Sequence, residues 1–399
     1  MNEQLKKLYT LAQRPERRII GLMSGTSLDG LDVALCRVSG SGLDTSLRVE
    51  HFATVPYAES FKQEIRAIFA KRHIDFQQLC LLNPYIGTYH GRLVRQCLSQ
   101  WGVEPAAVDL VASHGQTVYH APRAQHQLPD YPNATLQIGD GDHVAVTTGI
   151  ITLSDFRQRH IAAGGEGAPL AVYGDYLLFT KKGENRILLN MGGIANFTYL
   201  PASAEADAVF TTDTGPGNTL LDAFTQKYFN EPYDSDGAYA TAGTCHPGLL
   251  RALKDHPFFD APFPKTTGPE VFNQTFVAVA QEKSDAHSLS ANDLLATLAR
   301  FSADTIVAAI RRATHISEPH TLYVSGGGAH NPVLMQGIRE QLPTSFQICK
   351  IDELGVSGDA KEAVLFAVLA NETVAGGKVN FGNRAGVPSV SMGKISFPE

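Results

Sequence analysis

Short apolar runs and longer amphipathic stretches alternate along the first part of the chain. The apolar runs cover residues 18–24, 31–38 and 46–55, and the amphipathic stretches cover 58–71 and 76–101. Short runs rich in β-branched residues are typical of strands, whereas apolar residues that recur every three or four positions are typical of helices. We therefore expect a hairpin, a third strand and two helices in this order.

A similar pattern begins again near residue 150. It predicts a strand in "IITLSDF", a hairpin with a Gly-Gly turn in "RILLNMGGIANFTYL", a strand in "AVFTTDTGPGN" and a helix in "TLLDAFTQKYF". Further strands are expected from Asp109 and in "TLYVSGGGAHN", and further helices over 291–314, from Pro332 and over 359–373. Strands that alternate with helices indicate an α/β protein. Two such halves predict two lobes with a ligand-binding cleft between them.

Leu5, Leu8, Tyr9 and Ala12 predict that residues 1–13 form a short amphipathic helix that lies outside the core. The first 18 residues carry seven charges and no apolar stretch, so they do not resemble a secretory signal. The longest uncharged apolar run, 363–370, is too short to span a bilayer. We expect a cytoplasmic protein.

The length of 399 residues corresponds to roughly two to three domains. We place one domain at 1–150 plus 372–399 and the other at 151–371. The net charge of −7 argues against a nucleic-acid partner, because phosphate backbones require a basic surface. The cysteines are odd in number and scattered, as expected of reduced thiols in a reducing compartment.

Four loops of small residues follow predicted strands, at 24–30, 190–196, 213–218 and 325–331. Each combines glycines, which allow the backbone to approach a ligand closely, with Ser, Thr, Asn or Asp. A single Gly-Gly pair would indicate only a turn, but four such loops predict ligand binding. None matches a P-loop or a dinucleotide-binding fingerprint.

The segment "TDTGPGN" (212–218) is the most informative of these loops. As purely structural residues, Asp213 would form a turn and Asn218 would cap the following helix. This interpretation leaves Gly215 and Gly217 unexplained. The functional interpretation places phosphate over the glycines and the helix N-terminus, with Asp213 beside it as a base or as a ligand of a metal-bound water.

Two other segments end strands with polar groups, namely "SHGQT" (113–117) and "SDFR" (154–157). His114 and Arg157 would each be explained by a structural role, but together they resemble the lining of a site for a polar ligand. In "GDGDH", Asp140, Asp142 and His143 suggest a metallohydrolase as an alternative. The segment "GGEGAPL" (164–170) is compatible with a hinge or with a substrate loop.

Taken together, these motifs resemble the anhydro-N-acetylmuramic acid kinases of bacterial wall recycling, which belong to the sugar kinase, Hsp70 and actin superfamily. The phosphate loop M-S-G-T-S-x-D-G is highly specific to that family. The matching segments follow the family's order over residues 18 to 390: "GLMSGTSLDGLD", "SHGQT", "LQIGD", "SDFR", "GGEGAPL", "LNMGGIANF", "DTGPGN", "LLDA", "YDSDG", "PKTTG", "FN", "VSGGGAHNP" and "EAVLFAVLA".

The resemblance implies a two-lobed actin-like (ribonuclease H-like) fold with mixed sheets, and a dual reaction. ATP phosphorylates O6 of a 1,6-anhydro sugar while water opens the bridge at the anomeric carbon. Water is a poor nucleophile, so a carboxylate is expected to take its proton, and by family correspondence this is Asp213. The transition state has oxocarbenium character, but phosphoryl transfer captures the leaving O6, so that one carboxylate suffices where glycosidases use two.

The resemblance also assigns binding residues and the cofactors ATP and Mg²⁺. The sugar is expected to contact His114, Gln116, Arg157 and Glu362, and Asp29 to hold Mg²⁺ through water. It further implies a homodimer. The residues expected to bind ATP and its phosphates are Ser24, Gly25, Thr26, Ser27, Asp29, Gly30, Gly192, Gly193, Asn196, Gly215, Gly217, Asn218, Gly326, Gly327, Gly328 and Asn331.

Three positions depart from the family pattern: His160 stands in place of Asp, Glu166 in place of Gln, and Pro269 in place of Arg. They leave open a second hypothesis, a kinase of the same fold that acts on a different amino or anhydro sugar. A third hypothesis is a nucleotide-responsive binding module like the chaperones that share the fold. Such a module would hydrolyse ATP slowly whether or not a sugar is present.

Overall fold

The computed structural model describes residues 1–376, 381 and 386–399. The chain forms two compact units, one of residues Met1–Phe179 and Gly355–Glu399 and the other of residues Thr180–Leu354. Each unit contains one mixed β-sheet with helices packed on it. The α/β fold class predicted from the sequence is therefore confirmed.

The first unit contains most of the hairpin and helix elements expected for the first half. Its elements up to the crossing into the second unit are α1 (Glu3–Gln13), β1 (Glu16–Ser24), β2 (Gly30–Ser39), β3 (Ser46–Pro56), α2 (Glu59–Ile68), α3 (Phe76–Gln100), β4 (Leu110–Ala121), α4 (Arg123–His126), β5 (Ala134–Ile138), α5 (Gly141–Thr148), β6 (Thr152–Ser154), α6 (Phe156–Ala162) and α7 (Ala171–Phe179).

The second unit begins with the Gly-Gly hairpin and ends before the chain returns to the first unit. Its elements are β7 (Asn185–Met191), β8 (Ile194–Leu200), β9 (Phe210–Pro216), α8 (Thr219–Phe229), α9 (Ala238–Thr241), α10 (Pro247–Lys254), α11 (Pro257–Asp260), α12 (Gln274–Lys283), α13 (Ala291–Ala313), β10 (His320–Ser325), α14 (Pro332–Gln341) and β11 (Phe346–Lys350). The chain then adds α15 (Lys361–Ala375) and β12 (Lys394–Ser396) to the first unit.

The two sheets are built on the same plan. In the first, β1, β2 and β3 are antiparallel, β4 pairs parallel with β1, and β6 pairs parallel with β4. In the second, β7, β8 and β9 are antiparallel, β10 pairs parallel with β7, and β11 pairs parallel with β10. The first sheet is extended by β5 on β4 and by β12 on β6. The repeat expected from the sequence is therefore present as a repeated strand order.

The domain boundaries drawn from the sequence differ from the two compact units of the structure. Residues 151–179 and 355–371 were assigned to the second domain but lie in the first unit. The reason is pairing and packing, because β6 extends the first sheet and α15 packs on β1, β2 and β4. At Gly21 in β1, a Cβ would lie 1.9 Å from the Ala363 carbonyl oxygen, so only glycine allows α15 this close.

The N-terminal helix is also more closely attached than expected. Leu11, which lay outside the predicted apolar stripe, is 1% exposed, and α1 packs on α15. The buried guanidinium of Arg17 donates to the Leu11 and Arg14 carbonyls at the end of α1 and to Asn371 Oδ1 in α15 at 2.7 Å. The helix therefore contributes to the first unit instead of lying outside the core.

Within the part of the chain that the structure describes, no helix combines the length and the apolar character needed to cross a membrane.

Candidate functional site

The turn between β1 and β2 is anchored by one apolar side chain, which leaves its polar side chains exposed. Leu28 is 3% exposed and packs in the core of the first unit, although its φ of 60° is unusual for a leucine. Thr26, Ser27 and Asp29 are exposed around it. With the leucine directed inward, two hydroxyls and a carboxylate stay exposed, and their contacts with phosphate stay a prediction.

A polar cavity of about 270 Å³ opens beside this turn. Four carboxylates line it, namely Asp29, Asp32, Asp359 and Glu362, together with Gly25, Ser27, Gly30 and Thr54. Burial raises the pKa of Glu362, and the charge of Asp32 raises it further. The pKa of Asp32 is likewise raised by burial, partly offset by its hydrogen bond from Thr54 Oγ1 at 2.5 Å. The cavity is therefore a place where negative charge is crowded.

Crowded carboxylates next to a phosphate loop fit a divalent cation. No group of three or more His, Cys, Asp or Glu side chains in the described residues is arranged to hold a metal alone. Mg²⁺ does not require such a cage, since it keeps several waters and binds one or two carboxylates plus phosphate oxygens. The residues here fit that mode of binding, with Asp29 of the loop as the predicted ligand. The sequence analysis missed Asp32 and Asp359, whose proximity depends on how α15 meets β2.

Beneath the turn runs a line of four buried polar side chains: Ser24, Gln116, Tyr57 and His90. Ser24 Oγ lies 2.5 Å from Gln116 Oε1 and 2.7 Å from the Tyr57 hydroxyl, which lies 2.9 Å from His90 Nε2. Gln116 Oε1 only accepts, so Ser24 donates to it, Tyr57 donates to Ser24 and His90 Nε2–H donates to Tyr57. Because Gln116 Oε1 can only accept, it determines which atom donates in each hydrogen bond. We call these four side chains the buried relay.

The buried relay changes the expected roles of two predicted site residues. The Ser24 hydroxyl donates inside the protein, and Gln116 has no exposed surface. Their proposed contacts with phosphate and sugar stay predictions, but here both residues fix the base of the turn. Tyr57 and His90 were missed because an isolated Tyr or His in an apolar segment has no sequence feature that distinguishes it from a core residue. Burial lowers the pKa of His90 to about 3, which keeps it neutral.

Arg157 and His114, both predicted to bind the sugar, contact each other. Arg157 Nε donates to His114 Nε2 at 3.0 Å, so the His114 proton lies on Nδ1, which donates to the Gly115 carbonyl at 2.9 Å. Burial and, to a smaller extent, the charge of the Arg157 guanidinium lower the pKa of His114 to about 3. Burial also lowers the pKa of Arg157 to about 10, against the effect of Glu362. The structure thus brings together Arg157, His114 and the charge of Glu362.

The segment 164–167 is held by the same arginine and by His160. Arg157 Nη1 donates to the Gly167 carbonyl at 2.7 Å, and the Gly167 N–H donates to His160 Nδ1 at 2.9 Å. His160 is 1% exposed, and burial lowers its pKa to about 4. His160 therefore fastens this segment, whereas Glu166 is exposed. Nothing in the structure explains Pro269, which is also exposed.

In the second unit, Asp213 lies in register with two asparagines on neighbouring strands. Asn190 of β7 pairs with Asn196 of β8, and Asn196 pairs with Asp213 of β9. The Asp213 carboxylate is half-buried, and its Oδ2 accepts a hydrogen bond from the Thr267 N–H at 2.8 Å. Burial raises the pKa of Asp213, and the Thr267 N–H lowers it. The arrangement gives a carboxylate that is fixed at Oδ2 and has Asn196 as its cross-strand neighbour.

The glycines after Asp213 have a structural role that the sequence analysis did not foresee. The N–H groups of Gly217 and Thr219 donate to the Gly193 carbonyl at 2.8 and 3.0 Å, and the Asn218 N–H donates to the Gly192 carbonyl at 2.9 Å. A Cβ on Gly217 would lie 2.3 Å from the Gly192 oxygen. These three N–H groups tie the start of α8 to the Gly192–Gly193 turn, and the phosphate contacts expected of Gly217 and Asn218 stay predictions.

The loop that follows β10 meets the same turn. A Cβ on Gly326 would lie 2.7 Å from Asn190 Oδ1, and one on Gly327 would lie 3.5 Å from Asn218 Nδ2. Asn331 Oδ1 caps α14 by accepting from the Val333 and Leu334 N–H groups at 3.0 and 3.2 Å. The structure therefore brings together three of the four predicted loops in this unit. Their contacts with ATP stay a prediction, as does that of Gly215 and of Gly328.

The segment "GDGDH" has an ordinary structural role. Asp140 Oδ1 accepts from the Asp142 N–H at 2.9 Å, which caps α5. His143 Nδ1 lies 3.3 Å from Thr88 Oγ1. The groups engaged in these contacts are the Asp140 side chain, the Asp142 N–H and the His143 ring, and these are the three residues that suggested a metallohydrolase.

The comparisons with known proteins agree with the resemblance. The family model of anhydro-N-acetylmuramic acid kinase matches residues 17–397. A protein of that name from Pseudoalteromonas atlantica is 57% identical over all of both chains, and one from Pseudoalteromonas translucida is 52% identical over all of both chains. One from Caldanaerobacter subterraneus is 36% identical, covering 98% of this chain and 100% of its own.

Similarity to solved structures is weaker. An activator of 2-hydroxyisocaproyl-CoA dehydratase from Clostridium difficile aligns with 90% of this chain and 95% of its own at 10% identity, with a TM-score of 0.43. Scores of this size support no inference about this chain.

Proposed function

Since the chain belongs to the anhydro-N-acetylmuramic acid kinase family, we propose that it uses ATP to phosphorylate O6 of 1,6-anhydro-N-acetylmuramic acid while water opens the anhydro bridge. The products are N-acetylmuramic acid 6-phosphate and ADP. This reaction needs a base for water, donors for the sugar and a phosphate site with a cation. The described residues offer a candidate for each.

The observation that carries the proposal is the Asp213 carboxylate. One of its oxygens, Oδ2, is held by the Thr267 N–H, while within the described residues Oδ1 has no recorded donor. The free oxygen is suited to take a proton from water as the water attacks the anomeric carbon. Burial raises the pKa of Asp213, which makes it a stronger base than an exposed aspartate.

The bonds balance with this one carboxylate. The water oxygen forms a bond to the anomeric carbon, and the bond from that carbon to O6 breaks. The electron pair stays on O6, which bonds to the γ-phosphorus as the bond to ADP breaks. The water proton goes to Asp213. Because the phosphoryl group captures O6, no second acid is required to protonate the leaving oxygen.

Sugar recognition is assigned to the first unit. Arg157 uses Nε and Nη1 inside the protein, and its Nη2 donates to no group among the described residues. Glu362 lines the polar cavity and acts electrostatically on Arg157. A guanidinium and a carboxylate give donors and acceptors for the hydroxyl and amide groups of an amino sugar.

The ATP phosphates are assigned to the turn between β1 and β2, and Mg²⁺ to the cavity beside it. Thr26 and Ser27 are exposed hydroxyl donors, and Asp29 is the predicted ligand of the hydrated ion. When bound, Mg²⁺ neutralises charge on the phosphates during transfer. The crowded carboxylates explain why phosphate would not bind this cavity without a cation.

Mass spectrometry of the product made in ¹⁸O-labelled water tests the dual reaction. We expect one ¹⁸O in the sugar phosphate, at the anomeric position, and none in the bridging oxygen of the phosphate ester. The product incubated in labelled water for the same time without enzyme corrects for anomeric exchange. If the product made by the enzyme contains no more ¹⁸O than this exchange control, the enzyme is a plain kinase and the hydrolytic step is wrong.

A second candidate is a kinase of the same fold with a different amino or anhydro sugar. The observation that favours it is His160, which fastens the 164–167 segment next to Arg157 at a position where the family usually has Asp. A panel of sugars with ATP and Mg²⁺ separates the two. A kcat/KM at least tenfold higher for another sugar than for anhydro-N-acetylmuramic acid would favour this candidate.

A cytoplasmic location and a homodimer are part of the same proposal. ATP is a cytoplasmic substrate, and the cysteines of the described residues are free thiols, as in a reducing compartment. Light scattering after size-exclusion chromatography tests the dimer, and fractionation tests the location.

A further inference from the structure

A short segment after α11, residues 265–267, runs along the outer edge of β9. The Lys265 N–H donates to Thr212 Oγ1 at 3.1 Å, and the Asp213 N–H donates to the Lys265 carbonyl at 2.9 Å. Two residues later, the Thr267 N–H donates to Asp213 Oδ2 at 2.8 Å. The segment therefore holds both the backbone and the side chain of Asp213.

The segment is itself anchored by the buried side chain of Lys265. Its ammonium donates to the carbonyls of Phe258 and Phe259, at 2.7 and 3.0 Å, near the end of α11. It also lies 4.3 Å from the centre of the Phe258 ring and 5.5 Å from that of Phe263. Among the described residues, no carboxylate lies within ion-pair distance of it. Carbonyl dipoles and ring faces therefore stabilise this cation.

We propose that Lys265 is a positioning residue for catalysis, which acts on Asp213 through the N–H of Thr267. The inference rests on the proposed role of Asp213 as the base. With Lys265 anchored, the Thr267 N–H occupies Oδ2 and leaves Oδ1 for the attacking water. Without the anchor, the carboxylate can rotate about its broad terminal torsion, and neither oxygen is kept in place.

The electrostatic setting of Asp213 makes this effect measurable. Burial raises its pKa, and the Thr267 N–H is the group that lowers it. The charged groups around the segment are Lys265 itself, Asp260 of α11 and Arg312 of α13, which donates to the Phe259 carbonyl at 3.0 Å. None of these groups shifts the pKa of Asp213. We therefore expect loss of the hydrogen bond from the Thr267 N–H to raise the pKa of Asp213.

The main test is Lys265→Met, which keeps the length of the side chain and removes its donors. We expect kcat to fall about 10- to 100-fold, with less than a twofold change in KM for ATP and for the sugar, because orientation of the base is lost while binding is not. The acidic limb of the pH profile of kcat should move up by about half a pH unit to one unit. Lys265→Arg, which keeps donors, should restore part of kcat.

Two comparisons separate positioning from instability. Lys254→Met removes a lysine of the same unit that pairs with Asp304 at the surface, and it should leave kcat and the pH profile unchanged. If Lys265→Met does not fold, Thr267→Pro removes the N–H donor together with the hydroxyl, and Thr267→Ala, which removes the hydroxyl but keeps the donor, is the variant to compare with it. We expect kcat to be lower and the acidic pH limb to be higher in the proline variant than in the alanine variant.

A readout that does not depend on turnover is the ¹³C carboxyl titration of Asp213, assigned by comparison with Asp213→Asn. A raised pKa of Asp213 in Lys265→Met would support the inference. An unchanged pKa together with an unchanged pH limb would overturn it. Failure of the proposed function has a different signature, since Asp213→Asn would then retain turnover whatever Lys265→Met does.

Discussion

The two units share a strand order but use the corresponding hairpin turn in opposite ways. In the first unit, the turn between β1 and β2 buries Leu28 and exposes the side chains of Thr26, Ser27 and Asp29. In the second unit, the turn between β7 and β8 is only Gly192 and Gly193, and its carbonyls cap α8. The same topology thus gives one turn that exposes polar side chains and another that holds a helix with its backbone.

The two units also differ in the charges of their candidate site residues. The first unit crowds four carboxylates into one cavity, which suits a cation and phosphates. The second holds Asp213 beside Asn196, with a backbone donor on Oδ2, which suits a base. A repeated fold can therefore offer different chemistry in its two copies by changing the loops while the sheet stays the same.

The largest effect should come from the second unit's carboxylate. Asp213→Asn is expected to reduce turnover by about 100- to 10,000-fold, with ATP affinity nearly unchanged, because a general base is lost. Steady-state kinetics and ATP titration measure both quantities. Asp255→Asn, at an exposed aspartate of the same unit, is the control and should remain near parental turnover. Near-parental turnover in Asp213→Asn would remove Asp213 from the mechanism.

The next effect is a pH dependence of stability confined to the first unit. Its buried histidines His90, His114 and His160 have pKa values lowered to about 3, 3 and 4. Below the unfolded pKa near 6.5, the unfolded chain binds protons that the folded unit does not. Stability is therefore complete above that pH and falls as the pH drops, by about 1 kcal/mol per histidine at pH 5.5.

Hydrogen exchange at pH 7.5 and 5.5, corrected for the intrinsic rates, checks this prediction. Peptides of the first unit should lose protection at pH 5.5. Peptides around Asp222 of the second unit should not, because burial raises the pKa of that carboxylate to about 6 and the folded state then gains protons first. Equal losses of protection in both units would contradict the predicted difference between the units.

A third, smaller effect tests the turn that caps α8. In Gly217→Ala the new Cβ would lie 2.3 Å from the Gly192 carbonyl oxygen, so the backbone must shift, at a cost of about 2 to 3 kcal/mol in the free energy of unfolding. Gly193→Ala is the matched control, since its nearest neighbour would be 3.8 Å away. Denaturant titration of both variants measures their free energies of unfolding. Equal stability would show that the close approach is not required.

The smallest effect concerns the buried relay under the first unit's turn. Tyr57→Phe removes the link between His90 and Ser24, which should lower the free energy of unfolding by about 1 to 2 kcal/mol. We expect KM for ATP to rise about three- to tenfold, since the base of the phosphate loop loosens, while kcat changes little. Tyr9→Phe, at a tyrosine 62% exposed on α1, should change neither. An unchanged KM for ATP in Tyr57→Phe would show that the buried relay does not affect ATP binding.

Local patterns predicted the elements well. The apolar face of "TLLDAFTQKYF" predicted α8 at its observed bounds, and the Gly-Gly hairpin became β7 and β8. Both depend on contacts between residues close in sequence. By contrast, α5, α6 and α7 were missed, since their short or wholly apolar sequences have no clear helical periodicity.

The sequence could propose candidate site residues, but it could not predict which groups those residues contact. Loop composition located Asp29, Asp213 and the glycines, but it could not show that the N–H groups of Gly217 and Asn218 are already paired. Tyr57 and Lys265 act through partners that are distant in sequence, Ser24 and Thr212 respectively. Such roles depend on tertiary contacts, which periodicity and composition do not encode.

The close contact between Gly21 and α15 has a consequence for synthesis of the protein on the ribosome. The second unit is continuous in sequence and can fold as soon as it emerges, whereas β1 must wait for a helix made some 340 residues later. Until then, the apolar face of β1 that α15 covers stays open to chaperones and to other nascent chains. Translation speed through the codons for α15 should therefore affect the yield of folded protein.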